Sequence, residues 1–231
     1  MVRKGMTISR RNLKELVRQT LAKVLAVKGF KHGGRRRNQD FYKDTAAGRQ
    51  FLHLTFIDHK DDFDIVVNVS MRYVALIKLV DGINQLLSEP EGPHFAFIGA
   101  ELGNISEGRQ RRWTVVDESD VRGVCTGIME AFETIGEPYL ERFSSLEELL
   151  SATAGNDRAS FLHSPFDGTR AKTAVAVALL LGKQELFRHL VDQKMQYLRE
   201  RDDFELPSFM AFAEALGSIS HLVRPDGSIA K

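Results

Sequence analysis

The residues that could do chemistry cluster in one short polar segment, DHKDDFD, at residues 58–64. It holds one histidine, His59, and four aspartates, and carboxylate oxygens are the ligands that calcium prefers. The calcium loop of twelve residues also needs a glycine at its sixth position and a glutamate at its twelfth, and both are missing here. We therefore interpret the segment as the solvated turn of a β-hairpin, with Asp58, Asp61 and Asp62 as contacts for a partner.

The other reactive side chains do not form a recognisable catalytic or metal-binding motif. Cys125, the single cysteine, falls on the apolar side of a predicted helix, where a buried cysteine behaves as a small hydrophobic residue. The seven histidines are scattered, and the sequence contains neither an HExxH nor a GxSxG motif. The sequence therefore predicts no catalytic residue, no metal ligand and no cofactor.

A basic segment near the amino terminus is the strongest candidate for binding an anion or a nucleic acid. Clustered cations contact phosphates, and aromatic side chains nearby could stack on unpaired bases. The cations are Lys31, Arg35, Arg36 and Arg37, and the aromatic residues are Phe30, Phe41 and Tyr42.

The charge of the chain is distributed unevenly. Residues 1–50 hold fourteen basic and three acidic residues, a net charge of +11, while residues 51–231 hold 18 basic and 28 acidic residues, a net charge of −10. This asymmetry could steer an anionic partner towards the amino-terminal part. Alternatively, the two parts neutralise each other across the folded surface, and we favour this second interpretation.

The elements that position these residues are organised around residues 51–73, which alternate as two strands of a hairpin. Apolar side chains occupy every second position and predict one buried face and one solvated face. They are Leu52, Leu54, Phe56, Phe63, Ile65, Val67, Val69 and Met71. Because an isolated hairpin is only marginally stable in water, we expect further strands and covering helices.

The remaining pattern supplies those elements. Before the hairpin it predicts a helix capped by Ser9 and stopped at Gly29, and a short strand at 40–43. After the hairpin it predicts a helix with an apolar stripe from Leu76 to Leu87 that ends before Pro90, a strand at 94–102, a loop to residue 110 and a strand at 111–116. A helix beginning at Asp117 or Ser119 and closed by Gly136 and Pro138 follows, and a short helix begins at Ser145.

The carboxyl-terminal part has a helical pattern only. Residues 174–181 are apolar on nearly every side, Gly182 joins them to an amphipathic helix, and Pro207 starts a third helix. Residues 218–231 are predicted to be a loose tail. The fold class is therefore α+β: an antiparallel sheet of four or five strands packed with helices in residues 1–152, and an all-helical extension in residues 153–231. This extension either stands alone or packs on the first domain as one unit.

Several landmarks in residues 10–152 occur in the order of a known family. They are Gly29, Phe30 and Lys31, then Phe41 and Tyr42, the two alternating strands, Trp113, and finally Pro138, Tyr139, Leu140 and Phe143. This order resembles the bacterial domain-of-unknown-function family four-three-zero-four. The resemblance implies a small bacterial α+β domain without an assigned activity, which is sometimes suspected of acting in toxin and immunity settings. It transfers no site residue.

The sequence favours a cytoplasmic protein that does not enter a membrane. One cysteine excludes an intramolecular disulfide framework, the longest apolar run is too short to span a bilayer, and the amino terminus lacks the apolar segment of a secretory signal. We expect a non-enzymatic protein-interaction domain that binds a basic protein partner as an immunity protein would, through the polar sheet face or the acidic hairpin turn. Two alternatives stay open: nucleic-acid binding through residues 31–37, and an enzyme with an unrecognised pocket.

Overall fold

The computed structural model of the protein describes residues 8–33, 40–87 and 98–230. The strands are β1 (Lys31–His32), β2 (Asp40–Asp44), β3 (Gly48–Asp58), β4 (Phe63–Tyr73), β5 (Ile98–Glu101) and β6 (Trp113–Val115). The helices are α1 (Arg10–Val27), α2 (Val74–Leu86), α3 (Leu102–Glu107), α4 (Glu118–Ala131), α5 (Glu137–Arg142), α6 (Leu146–Ala154), α7 (Arg158–His163), α8 (Asp167–Leu180), α9 (Gln184–Glu200) and α10 (Leu206–Ser218).

The strands of these described ranges form one antiparallel sheet. Strands β1 to β5 lie side by side in chain order, and β6 pairs with β4. In the β4–β6 pair Phe63 faces Val115 and Ile65 faces Trp113. The predicted α+β class is confirmed, and two-residue β1 makes the sheet one strand larger than the predicted four or five.

The hairpin of β3 and β4 confirms the alternating pattern on one face. Of the eight apolar residues predicted there, all but the half-buried Phe56 are buried. The opposite face differs from the prediction of a fully solvated surface, because Asp64 is only 8% exposed and Val66 is 3% exposed. Side chains of the turn and of β6 enclose Asp64, and their contacts are described below.

The chain packs as two compact units, each described here by itself. Unit 1 consists of the described residues within Met1–Lys43, Gln50–Val69 and Glu101–Tyr139. Unit 2 consists of those within Asp44–Arg49, Ser70–Ala100 and Leu140–Lys231. Strands β3 and β4 therefore pass from one unit into the other along the chain. The predicted domain boundary at 153–160 stays a prediction.

Unit 1 has its helical core where α1 packs on α4. Ser9 caps α1 as predicted by accepting a hydrogen bond from the backbone N–H of Asn12, and Gly29 follows the helix with a φ of 84°. Helix α4 begins after Asp117, whose carboxylate forms a capping box with Asp120.

The predicted end of the helix that begins after Asp117, at Gly136 and Pro138, is wrong. The chain continues from α4 through a π-helical turn, Phe132–Gly136, directly into α5. Pro138 is the second residue of α5 and follows directly after this π-helical turn. Gly136 has a packing role, because a Cβ atom there would lie 2.6 Å from a ring carbon of Phe132.

The predicted loop after residue 102 is also wrong, because residues 102–107 form α3. The carboxylate of Glu101 accepts hydrogen bonds from the backbone N–H groups of Gly103 and Asn104, at 2.9 and 2.8 Å. Glutamate is not among the preferred helix caps, so the start of α3 was not recognised in the sequence. Of the strand predicted at 94–102, residues 94–97 lie outside the described residues, and β5 occupies 98–101.

Unit 2 is a group of helices around the apolar helix α8. Helices α2, α6, α9 and α10 all contact α8, and nearly all of its side chains from Ala171 onwards are buried. The predicted helical hairpin of α8 and α9 is confirmed, with Gly182 at a φ of 69° between them. Among the described helices, none combines the length and the apolar composition that crossing a membrane requires.

The prediction of a loose carboxyl-terminal tail is wrong for its described residues. After a 3-10 turn, Ser220–Leu222, the chain turns back on itself so that Val223 pairs with Ile229. Gly227, with a φ of 80°, lies so close to α2 that a Cβ atom would collide with the carbonyl oxygen of Ala75. The tail is therefore held against α2 by a turn that only glycine fits.

Candidate functional site

The predicted basic segment is described only in part. Lys31 is exposed in β1 and pairs in register with Tyr42, whereas Arg35, Arg36 and Arg37 lie outside the described residues. Phe30 and Phe41 cannot act as open stacking surfaces, because they are 5% and 0% exposed. The ring of Phe30 packs edge-on against Phe132 at 5.5 Å. This part of the sequence prediction was wrong, because both aromatic side chains are needed in the core.

Several cations of α1, and Lys28 directly after it, are engaged by carboxylates of the same unit. The Nζ atom of Lys14 lies 2.7 Å from Asp58, and Arg10 lies 3.7 Å from the same carboxylate. Lys28 lies between Glu133 and Glu137 at 3.0 and 3.1 Å. The hydrogen bond from Lys14 holds the pKa of Asp58 below its usual value. These pairs neutralise part of the basic amino-terminal segment, in agreement with the interpretation that we favoured.

The acidic turn between β3 and β4 therefore presents less free negative charge than its sequence suggests. Asp58 is paired with α1, Asp61 is exposed, and Asp62 is half-buried. Within residues 8–33, 40–87 and 98–230, no group of three or more histidine, cysteine, aspartate or glutamate side chains could hold a metal ion. The role of these three aspartates as partner contacts stays a prediction.

His59 is oriented by Asp64, which also receives two other side chains. The carboxylate of Asp64 lies 3.0 Å from His59 Nε2 and accepts hydrogen bonds from Thr114 Oγ1 at 2.7 Å and Arg112 Nη1 at 3.3 Å. The hydrogen bond from Thr114, followed by those from His59 and Arg112, lowers the pKa of Asp64. A histidine–aspartate pair can activate a nucleophile, but the hydroxyl of Thr114 donates to Asp64 and not to the imidazole. We interpret the cluster as a structural hydrogen-bond network that links the hairpin turn to β6.

Cys125 is a buried thiol in contact with the backbone of α1. Its Sγ atom lies 3.8 Å from the carbonyl oxygen of Val17, and burial raises the pKa of the thiol to about 11. A thiol with such a pKa is protonated at neutral pH and is a poor nucleophile. The structure agrees with a packing role for this cysteine.

The densest group of buried charges lies in unit 2, at the start of α8, and the sequence analysis missed it. The fully buried guanidinium of Arg170 donates to the carboxylate of Asp167 and, at 2.6 Å, to the carbonyl oxygen of Ser164. It also lies 4.4 Å from the ring centroid of Phe161. The other oxygen of Asp167 lies 3.4 Å from Arg201. The ion pair, the carbonyl contact and the ring together offset the cost of burying the guanidinium.

A buried lysine ties α9 to the chain that follows α6. The ammonium of Lys194 donates to the carbonyl oxygens of Thr153 and Gly155 and to the side-chain oxygen of Asn156, at 2.9, 2.8 and 2.7 Å. Burial and the nearby guanidinium of Arg170 lower the pKa of Lys194 to about 7. All three ammonium protons have acceptors, so this side chain is a structural link and has no proton directed at a substrate.

Two exposed phenylalanines flank a tight contact on this charged framework. Glu205 accepts a hydrogen bond from the backbone N–H of Gly168 at 2.9 Å, and a Cβ atom on Gly168 would lie 2.7 Å from the Cβ of Glu205. Phe166 is two residues before Gly168, and Phe204 is one residue before Glu205. Their side chains are 69% and 90% exposed. We call these two side chains the Phe166–Phe204 surface.

The positions of Phe166 and Phe204 in the sequence already indicate that they do not belong to a helix core. Phe204 stands in the polar segment RDDFELP, at 201–207, and Phe166 precedes the aspartate that begins α8. Neither residue fits the apolar stripe of a neighbouring helix. A large apolar side chain that no predicted element needs for its core is a candidate for binding a partner.

Comparison with known proteins found no family model, no curated protein and no solved structure that matches this chain. The resemblance to family four-three-zero-four therefore stays a prediction.

Proposed function

We propose that the protein is a protein-interaction domain and that the Phe166–Phe204 surface is its binding site. The observation that supports this proposal is the exposure, 69% and 90%, of Phe166 and Phe204, which precede the hydrogen-bonded residues Gly168 and Glu205 in the chain. The buried ion pair of Arg170 and Asp167 lies in the same part of unit 2. Single exposed apolar side chains are common, but large aromatic ones are enriched in protein interfaces, so two of them in one part of the fold make a candidate binding site.

The backbone that carries the two phenylalanines supports the proposal, because the residues that follow them are held by polar contacts. Asp167 and Glu205 directly follow the two phenylalanines, and both carboxylates are engaged, one by Arg170 and Arg201, the other by the N–H of Gly168. A preorganised aromatic anchor loses little conformational freedom when it enters a pocket on a partner. We infer that the partner is a protein with an apolar pocket.

The charges near this surface differ from those of the predicted docking site. Arg201, Asp202 and Asp203 directly precede Phe204 in the sequence, so both signs of charge occur next to it. A mixed rim around an apolar centre is the usual composition of a protein interface. The immunity-like role and the basic partner expected from the hairpin turn remain proposals that rest on the sequence.

The experiment is comparative capture from the source lysate with three versions of the full chain. The versions are the wild type, the double variant F166A/F204A, and V27A as a matched control, since Val27 in unit 1 is 88% exposed. We expect proteins retained by the wild type and by V27A to be lost with the double variant, as measured by quantitative mass spectrometry. Equal retention by all three versions would contradict the proposed site.

A further inference from the structure

A second candidate surface belongs to unit 1 and shares no residue with the Phe166–Phe204 surface. It is part of the segment that joins α3 to β6, where residues 108–113 read GRQRRW and end with the single tryptophan of the chain. The side chains of Arg109 and Arg111 are 80% and 35% exposed, and Trp113, the first residue of β6, is half-buried. We call these three side chains the Arg109–Trp113 surface.

The backbone of this segment is held by a buried carboxylate. Glu101 is 5% exposed and accepts a hydrogen bond from the backbone N–H of Arg111 at 3.2 Å, besides the two from the start of α3. A Cβ atom on Gly103 would lie 2.5 Å from the carbonyl oxygen of Arg109 and from the backbone nitrogen of Arg111. The segment therefore packs directly against α3, so the two arginine side chains project from a backbone that is already ordered.

The two arginines share one carboxylate. Glu107 accepts hydrogen bonds from Arg109 Nε at 3.2 Å and from Arg111 Nε at 2.9 Å. The hydrogen bonds from Arg111 and Arg109 lower the pKa of Glu107, so this carboxyl group is ionised at neutral pH. Two guanidinium charges and one carboxylate charge leave one positive charge on the surface.

The guanidinium of Arg109 is available to a ligand. Among the described residues its one hydrogen-bond partner is Glu107, and an ion pair at such an exposed position contributes little stability. The neighbouring Arg112 differs, because the buried Asp64 accepts a hydrogen bond from it. Since arginine presents its donors in a planar fork that matches phosphate oxygens, the terminal nitrogens of Arg109 and Arg111 can bind a phosphate group.

Trp113 adds an aromatic ring beside these charges. The guanidinium carbon of Arg111 lies 5.9 Å from the centroid of the ring. Helix α4 passes the indole at Gly127, where a Cβ atom would lie 3.2 Å from the indole nitrogen, so no side chain of that residue covers this edge. An indole and a guanidinium that lie together form a surface on which an unpaired base can stack.

We propose that the Arg109–Trp113 surface binds single-stranded nucleic acid. The phosphates contact Arg109 and Arg111, and an unpaired base stacks on Trp113 and on the guanidinium of Arg111. The site differs from the nucleic-acid site that the sequence suggests at residues 31–37. This inference does not depend on the protein-interaction function, because it concerns other residues, the other unit and a different class of partner.

The single tryptophan makes binding at this surface directly measurable. The test is a titration of the full chain at low salt with short oligo(dT), oligo(U), a DNA duplex and polyglutamate, recorded by tryptophan fluorescence. We expect saturable quenching by the single strands, because a base stacked on Trp113 changes its emission, and an affinity that falls as salt is added. If neither single strand binds, or if the duplex or polyglutamate binds as tightly, the inference is overturned.

Two double variants with the same change in net charge locate the site. R109Q/R111Q is expected to bind the single strand about tenfold more weakly or worse, because charge-assisted hydrogen bonds are lost. The slope of log affinity against log salt should become shallower by about 1.4, since each phosphate contact on a single strand accounts for about 0.7. R188Q/R199Q, which changes two exposed arginines of α9, is expected to leave the affinity and the slope unchanged.

The single variants keep the test decisive if R109Q/R111Q does not fold. R109Q then takes its place, with R188Q as its control, and must still weaken the binding of the single strand. Equal affinities of the folded variant and its control would contradict the inference.

Discussion

Lys194 and Arg170 show how single buried charges shape unit 2. Both side chains are essentially inaccessible to solvent, and each donates to oxygens of neighbouring loops. Burying a charge is costly unless its hydrogen bonds are made. Removing either side chain would leave its buried acceptor oxygens without a donor, which lowers the free energy of unfolding. These two residues are thus supports of the fold, and they hold the segments that begin α7 and α8.

The substitution K194M tests this role at the residue scale. It leaves two backbone carbonyls and the oxygen of Asn156 without their donor, so we expect a loss of about 3 kcal/mol in the free energy of unfolding, measured by urea denaturation. The control K23M changes an exposed lysine of α1 and is expected to stay within about 0.5 kcal/mol of the wild type. Equal stability of the two variants would refute the structural link.

His163 gives unit 2 a dependence on pH. Burial, together with the charge of Arg142, lowers the pKa of this imidazole below its ordinary value of 6.5. In the range between the folded and unfolded pKa values, the unfolded chain binds more protons, so the stability falls as the pH drops through that range and stays at the lower level below it. We expect a lower urea midpoint at about pH 5 than at about pH 7.5, where both states hold the neutral imidazole.

The variant H163Q isolates this effect, because its side chain does not titrate. We expect the difference between its two urea midpoints to be smaller than in the wild type, while H189Q, which changes an exposed histidine of α9, keeps the wild-type difference. If the urea midpoint of H163Q changes with pH as much as that of the wild type, other titrating groups cause the effect.

At the scale of elements, the turn that holds the carboxyl-terminal tail against α2 can be tested at Gly227. An added methyl group there collides with the carbonyl oxygen of Ala75 and also needs a φ of 80°. We expect G227A to lower the free energy of unfolding by at least about 2 kcal/mol more than G182A does. Gly182 has a similar φ of 69° but open space around it, so it reports the conformational cost alone. Equal losses in the two variants would show that the tail does not pack closely.

Elements whose ends and faces are encoded locally could be predicted from the sequence. Ser9 and Asp117 are preferred caps, and the alternation in β3 and β4 has only one face that can be buried. Helix α3 could not be predicted, because Glu101 caps it and glutamate also suits many solvated loops. The turn at Gly227 depends on its contact with Ala75, about 150 residues earlier in the chain, and no local pattern reports such a contact.

The candidate sites were less predictable than the fold. The sequence singled out Lys31, Asp58, Asp61 and Asp62 by their charge, but it could not show that Asp58 is paired with Lys14 on α1. It also placed Phe30 and Phe41 on an open surface, although both are buried. Conversely, the polar surroundings of Phe204 in the sequence mark it as a candidate, but its exposure and that of Phe166 depend on which faces the helices of unit 2 cover, and no local pattern reports that.

At the scale of the whole molecule, function rests on what the folded surface leaves exposed. Intramolecular ion pairs of unit 1 reduce the contrast between the basic and acidic parts of the sequence, which weakens an interaction driven by charge alone. The Phe166–Phe204 surface remains open and apolar. This contrast supports the proposal that the centre of binding lies on unit 2, with charge contributing at its rim.

The most direct measurement of this claim is the dissociation constant of the captured partner for the wild type and for F166A/F204A. Two aromatic anchors of a binding site are expected to contribute at least about 2 kcal/mol, so the double variant should bind about thirtyfold more weakly, while V27A binds as the wild type does. A dissociation constant that the double substitution leaves unchanged would contradict the account.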